Sequence, residues 1–525
     1  MDSAEDLVYT PAENIPRIAS EKRAFFNTHK TKSIEYRLVQ LRKLYWGIKD
    51  NEEALIKALQ QDLGKPPFEA LIMEIGWCAG DALFTSNKLR EWAKDEKAPD
   101  IPLLNAPLCP KIRKVPLGSV LILGAFNFPL LLSIGPLIGA IAAGNTAVLK
   151  PSENAPATAI VMERIVSGYL DPSAYTVVQG GVAESTVLLD QKWDKIFYTG
   201  GASVAKIIAK KAAETLTPVT LELGGKNPAI VTKNADIRIA ARRLLWGKIV
   251  NAGQVCISQN YTLVDKEVLP TFISELKATY AEFFPHGVKA STDYARIVNE
   301  RHFQRIKAML DNTKGKILLG GATDESERFI EPTVVQVDDV NDSLITEESF
   351  GPLIPILPVN DVDEAIRIIN QVQDTPLGLY PFGTKTETEK ILLETRSGGA
   401  SVNDAYFHGS IPTLEFGGVG ESGQGSYRGK ASFDCFSHRR SITTTPTWLE
   451  SVLSLRYPPY AGKLEKLALL GGERPNFDRD GQVQISLLTR ILALGAKSLQ
   501  GGIIRYLLII IAAVAAKKYL NQTGN

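Results

Sequence analysis

A chain of 525 residues is too long for one ordinary hydrophobic core and implies two or three domains. With 44 % hydrophobic and 22 % charged residues it is globular, and 59 basic against 58 acidic side chains (net +1) give no electrostatic argument for nucleic acid. Its four cysteines, Cys78, Cys109, Cys256 and Cys435, lie far apart with no CxxC pair, which speaks against zinc and a disulfide scaffold and for free thiols in a reducing compartment.

The opening residues, MDSAEDLVYTPAENIP, are acidic and lack the apolar core of a secretory signal or the arginines of a transit peptide. Residues 34–60 are rich in Leu, Lys, Arg and Glu at helical spacing, and the proline-rich stretch 88–116 reads as an extended excursion. From residue 119 a strand–turn–helix pattern repeats. SVLIL (119–123), TAVLK (146–150), AYTVVQG (174–180) and KIFYTG (195–200) read as strands, with helices over 130–143 and 155–168 and another after each later strand. NPAIVTK (227–233), KILLGG (316–321), TVVQV (333–337) and IPILPV (354–359) read as further strands. Helical patterns cover 237–245, 268–283, 299–312 and 361–372, the last with Asp361 as N-cap. Such alternation predicts two doubly wound α/β domains with parallel sheets, whose ligands bind at the carboxyl ends of the strands.

Five segments carry chemistry-bearing residues. Cys256 lies alone in NAGQVCISQNY (251–261); by itself it reads as a small buried thiol at least as readily as a nucleophile. Glu222 in TLELGGKNP (220–228) is either an outward-facing strand residue or a carboxylate whose pKa an apolar pocket raises toward that of a general base. Asn127 in GAFNFPL (124–130) is a turn former or an amide donor for a developing oxyanion. Lys150 and Glu153 in VLKPSEN (148–154) sit at a strand's carboxyl end, suited to ribose hydroxyls or to an ordinary solvated helix start. FYTGGASVAK (197–206) is a strand, a glycine pair and a helix start that offers N–H groups to phosphate, without the GxGxxG fingerprint.

Together, FNFP, VLKPSE, YTGGASVAK, LELGGKNP, GQVC, EESFGP (347–352) and FGGVGESGQG (416–425), in that order, resemble the aldehyde dehydrogenase superfamily over about residues 20–445. PLGLYPFG (376–383), SGGASVND (397–404) and SYRGKASFDCFSHRR (426–440) resemble its membrane-bound fatty-aldehyde, or class 3, branch. The resemblance implies oxidation of medium- and long-chain aliphatic aldehydes to acids with NAD(P)+. Cys256 would attack the aldehyde, Asn127 and the backbone N–H of Cys256 would hold the oxyanion, and Glu222 would direct water at the thioester. Lys150 and Glu153 would meet the adenine ribose. Gly200, Gly201, Ala202, Ser203, Val204 and Ala205 would form the pyrophosphate turn, and Leu223 (through its backbone), Glu348 and Phe350 would position the nicotinamide end. Ala205 stands where many relatives carry Gly, and Gly201 where a polar residue is commoner. The acid at Glu153 favours NAD, with NADP possible.

The same resemblance implies an NAD(P)-binding domain (1–93 and 116–221), a catalytic domain (222–424), a β-type oligomerisation arm (94–115 and 425–445) supporting a homodimer, and a C-terminal helical tail (446–525). Tyr406, Phe407 and His408 are candidates for the aldehyde tunnel. In the tail, residues 483–500 are amphipathic, and 499–518 form a candidate membrane anchor; its apolar part, 499–516, would reach about 27 Å against a hydrocarbon core of about 30 Å if Arg505 snorkels. An anchored enzyme would face the cytosol from the endoplasmic reticulum or mitochondrial outer membrane. Two alternatives are an acyl-CoA-forming semialdehyde dehydrogenase, against which Glu222 argues, and a non-catalytic protein on the same fold, against which Cys256 and Glu222 both argue.

Overall fold

Strands Ser119–Leu123, Thr146–Lys150 and Lys195–Thr199 are buried at every residue in the computed structural model, which describes residues 6–465 and 475–483. Burial on both faces is why the middles of these strands read as apolar runs. They belong to a six-stranded sheet ordered Gly423–Gln424, Val219–Glu222, Lys195–Thr199, Ser119–Leu123, Thr146–Lys150, Tyr175–Val177, parallel except for Gly423–Gln424. Alternate residues feed opposite faces: Val120 and Ile122 enter the large core, whereas Leu121 and Leu123 pack with Val148, Ile196, Ala205 and Ile208 in a second cluster.

Chain order reverses at Ser119–Leu123: Thr146–Lys150 adds on one side and Lys195–Thr199 on the other. At such a switch point the loops leaving two adjacent strands diverge and open a crevice. Here those loops carry Asn127 and the pair Gly200-Gly201.

A seven-stranded sheet follows, ordered Lys316–Leu319, Thr333–Gln336, Leu353–Val359, Tyr261–Asp265, Pro228–Val231, Gly378–Phe382, Gly399–Ala400, with Lys316–Leu319 antiparallel. The chain passes from Glu222, which ends its strand in the first sheet, to Pro228, the first residue of the second, in five intervening residues. The large core contains side chains from both sheets, among them Ile122, Leu263 and Ile356. Two doubly wound α/β layers are therefore present.

Several elements differ from the sequence reading. Residues 34–60 are two helices, Ile34–Asp50 and Glu52–Leu63, the second stopped by Gly64 at φ 61°. The excursion 88–116 still holds the end of helix Gly76–Trp92 and strand Lys111–Pro116, which pairs antiparallel with Glu96–Lys97 and Ser437–Ile442. Strands Tyr261–Asp265 and Gly378–Phe382 are additions. Asp361 caps helix Val362–Val372 as expected, accepting the Glu364 N–H.

By packing, residues up to 101 and 110–442 form one unit; 102–109 group with the described residues from 443 onward in a second. The candidate anchor 499–518 lies outside the described residues, as does the amphipathic segment 483–500 apart from Val483. Among the described residues no helix is long and apolar enough to cross a membrane.

Candidate active site

Cys256 follows a turn that L-residues rarely adopt: Asn251 and Ala252 have φ of 50° and 51°, and Gly253 has φ 74°. A Cβ on Gly253 would meet Gly351 O at 2.3 Å, so glycine is required there. Buried amides hold the loop. Asn227 donates from Nδ2 to the carbonyls of Cys256 and Ser258 (2.8 Å each) and accepts the Gly378 N–H at 2.7 Å, tying the cysteine to the start of strand Gly378–Phe382. Gln254 donates to the carbonyls of Asn251 (3.0 Å) and Arg296 (2.9 Å) and accepts the Val298 N–H (2.9 Å). The Tyr380 hydroxyl donates to Ile257 O.

Asn127 is buried, and its Nδ2 donates to Gln254 O at 3.1 Å. The amide predicted from the FNFP turn thus bonds to the residue two before the cysteine. Glu222 is 2 % exposed at the end of its strand, and neither carboxylate oxygen has a protein partner. Burial pushes its pKa well above the usual carboxylate range. It is the inward, desolvated carboxylate and not the outward-facing strand residue. Burial raises the Cys256 thiol to about 12, and the charges of Glu348 and Glu222 add to the rise. Both carboxylates therefore lie within electrostatic reach of the sulfur, which is protonated at neutral pH.

Beside this group is a cleft of about 470 Å³ lined by Ala202, Ala205, Leu223, Gly224, Glu348 and Gln373, among others. Four of its walls are residues expected at the cofactor. Gly224 admits Glu348 closely, since a Cβ there would meet Glu348 Oε1 at 2.3 Å, and the Gly225 N–H donates to that oxygen at 3.2 Å. Helix Ala202–Ala213 starts at Gly201 with no side-chain cap bond, and residues 201–204 are exposed, an arrangement suited to a phosphate. A Cβ on Gly201 would meet nothing, while Ala205 packs its methyl into the second cluster, so neither departure from the commoner residues disturbs the turn. Lys150 Nζ pairs with Glu153 Oε2 at 2.5 Å. Glu153 also bears on Tyr198, whose hydroxyl donates to Gly201 O at 3.4 Å, so the pair shares the strand-end edge with the glycine turn. The Leu223 N–H donates to Ser422 O (3.1 Å), which leaves any backbone contact to its carbonyl. Phe350 is not among the cleft's walls; it packs edge-on against Phe126 at 5.9 Å. The residues present fit a dinucleotide: an uncapped helix start, a carboxylate cradled by glycine and a Lys–Glu pair at the strand edge. Among the described residues no cluster could hold a metal ion.

Of the tunnel candidates, Tyr406 is buried beside Trp246 (ring centroids 5.5 Å) and Tyr380 (6.4 Å). His408 shares a hydrogen bond with Ser401 (3.0 Å) and stacks on Phe416 (6.3 Å), and burial lowers it to about 4, so it is neutral. Phe407 is 55 % exposed. Sequence reasoning missed Asn227, Asn251 and Gln254 as loop anchors, although all three stand inside the quoted motifs. It also missed Gln373, whose Oε1 accepts the Lys226 N–H at 2.6 Å on the cleft wall and which no motif flagged.

The aldehyde dehydrogenase family model matches residues 7–442. The chain is 52 % identical over 506 residues to a β-apo-4′-carotenal oxygenase from Neurospora crassa, covering 95 % of each chain. It is 42 % identical to the dimeric NADP-preferring aldehyde dehydrogenase of Canis lupus familiaris, covering 86 % of this chain and 99 % of the relative. Its fold superposes on the substrate-bound AldH of Staphylococcus aureus with a TM-score of 0.84 at 41 % identity, over 87 % of this chain and 99 % of that one. The chain thus belongs to the aldehyde dehydrogenase family and is an NAD(P)-dependent enzyme that oxidises aldehydes.

Proposed function

We propose that the enzyme oxidises long, lipophilic aldehydes to carboxylic acids, with Cys256 as nucleophile, Asn127 as oxyanion donor and Glu222 as the base that directs water. The observation that carries this reading is a desolvated carboxylate without a protein partner whose charge acts on a half-buried thiol. Cys256 reacts as the thiolate after its S–H proton is lost to solvent: sulfur bonds to the carbonyl carbon as the C=O π bond opens onto oxygen, and the Asn127 amide and the Cys256 N–H receive the charge that builds there. NAD(P)+, when bound, supplies the hydride acceptor that turns the thiohemiacetal on Cys256 into a thioester. Glu222 in its ionised form then takes a proton from water, which attacks the acyl carbon; the C–S bond breaks, the acid leaves, and the proton held by Glu222 returns the thiolate to thiol. A carboxylate in this position fits transfer to water better than transfer to coenzyme A.

The lipophilic substrate class is supported by the aromatic wall around Tyr406 and by exposed Phe407, Ile411 and Leu414 just beyond it. The 52 % identity to an apocarotenal-oxidising relative favours a second reading within that class, a rigid polyene aldehyde. NADH formation with aldehydes from propanal to octadecanal and with β-apo-4′-carotenal, in detergent, tests both. Rising kcat/KM along the aliphatic series is the expected result, and a flat series overturns the lipophilic reading. A polyene rate above every alkanal would assign the second reading. We further propose membrane attachment through residues 499–518, with the catalytic body facing the cytosol at the endoplasmic reticulum or mitochondrial outer membrane. Deleting 481–525 is then expected to reduce turnover of hexadecanal more than of hexanal.

For the cofactor, the carboxylate of Glu153 opposes a 2′-phosphate, whereas Lys150 and the NADP-preferring relative favour one. NAD is the proposed preference. Glu153→Gln is expected to raise the NADP/NAD ratio of kcat/KM by about tenfold, the effect of one removed like-charge contact. An unchanged ratio would remove Glu153 from the ribose site. A homodimer joined at the edge strand Ser437–Ile442 is proposed as well.

A further inference from the structure

Lys65 and Glu74 are wholly buried, both side chains 0 % exposed, and pair at 2.5 Å. The surroundings show what they hold. Lys65 Nζ also donates to the backbone carbonyl of Asn127 (3.2 Å) and lies 4.2 Å over the Phe128 ring. Glu74 Oε2 accepts the N–H groups of Leu130 (2.9 Å) and Leu131 (3.3 Å), the start of helix Leu131–Ala143, which has no side-chain cap of its own. The pair therefore grips the 127–131 turn at both ends. Glu74 sits in a one-turn π-helix, Leu71–Ile75, an irregularity that recurs at functional sites.

The grip continues to the nucleophile loop. Asn251 Nδ2 donates to Asn127 O (2.8 Å) and to Gln254 O (3.0 Å), and Gln254 O also receives the Asn127 side-chain amide (3.1 Å). The carbonyl of Asn127 is thus held by Lys65 on one side and by the cysteine loop on the other. A buried ion pair contributes little stability that apolar side chains would not also contribute. Its geometry here is specific to one carbonyl and two N–H groups.

We infer that Lys65, seated by Glu74, is a positioning residue that sets the Asn127 amide against Cys256 for stabilising the oxyanion. It touches neither sulfur nor aldehyde and acts through the backbone of Asn127. The inference rests on Asn127 being the oxyanion donor, so the test separates the two.

The full-length enzyme is compared as wild type, Asn127→Ala, Lys65→Met, Lys65→Met/Glu74→Leu and Lys65→Met/Asn127→Ala, by kcat, KM, NAD(P)+ affinity, iodoacetamide alkylation of Cys256 and thermal midpoint. Asn127→Ala is expected to lower kcat by about 10²–10³-fold. Lys65→Met is expected to lower it by about 10²-fold through a displaced donor, with alkylation rate and cofactor affinity within about threefold of wild type. The double replacement leaves no unpaired buried charge, so it recovers stability lost in Lys65→Met but not kcat. In the Asn127→Ala background, Lys65→Met costs less than about threefold more, because the group it positions is gone. Wild-type kcat in Lys65→Met/Glu74→Leu, or full additivity with Asn127→Ala, overturns the inference while leaving Asn127 in its role. A near-wild-type kcat for Asn127→Ala instead overturns the oxyanion reading beneath it.

Discussion

Replacing Cys256 with alanine is expected to lower aldehyde-dependent NADH formation by at least about 10⁴-fold, the loss typical of removing a covalent nucleophile. The loop should survive the change. Its anchors act on the backbone: Asn227 on the carbonyls of 256 and 258, Gln254 on those of 251 and 296, and Tyr380 on that of 257. Cofactor affinity and thermal midpoint should therefore match wild type, which separates chemistry from misfolding. Retained turnover in Cys256→Ala would dismiss the thiol as nucleophile. The resting thiol, raised to about 12 by burial and by Glu348 and Glu222, also carries a pH signature. Only thiolate reacts with iodoacetamide. Inactivation of the cofactor-free enzyme should be slow at neutral pH and accelerate steadily on the alkaline side, with no plateau near the value of a free cysteine.

The second large effect belongs to Glu222. Glu222→Gln keeps shape but cannot accept a proton, so steady-state turnover should fall by about 10²–10⁴-fold. Acyl transfer to sulfur precedes the water step, so one enzyme equivalent of NADH should still form rapidly, followed by accumulation of the thioester. Mass spectrometry of the quenched enzyme would detect the acyl adduct on Cys256. Loss of the burst together with the steady rate would move Glu222 to an earlier step.

Stability should change in the opposite direction. The folded-state pKa of Glu222 lies well above its unfolded value. Below the ordinary carboxylate value both states are protonated, and the group contributes no pH dependence. As pH rises above it, the unfolded chain ionises while the folded one does not, and folding loses stability until the raised folded value is passed. Glu222→Gln removes this penalty. Its denaturation midpoint should exceed that of wild type by a margin that is small near about pH 4.5 and wider near about pH 8, as expected where a strained functional group is retained at a cost to stability.

Much of this architecture was legible in the chain. Strands such as TAVLK and KIFYTG are short apolar runs closed by turn residues, and they lie where they were read because both faces are covered by helices. Helix Leu131–Ala143 ends at Gly144 in the left-handed region, as its terminal glycine announced. Strands Tyr261–Asp265 and Gly378–Phe382 escaped notice. The first follows directly on the irregular cysteine loop, and the second contains Pro381, which a local reading takes as a break although the strand is paired on both sides.

By itself, the sequence determined the reaction: Cys256, Glu222 and Asn127 stand in motifs whose residue types suit nucleophile, base and oxyanion donor, and whose order points to one family. The tertiary structure decided how those residues share a site. Whether Glu222 faces solvent or a dry interior depends on what packs over its strand, and only the folded chain supplies that cover. Asn127 meets Gln254 across 127 positions and Lys65 across 62. Pairings at such separations come from the closure of two sheets around one core, whereas periodicity, caps and turns report only on neighbours a few residues away.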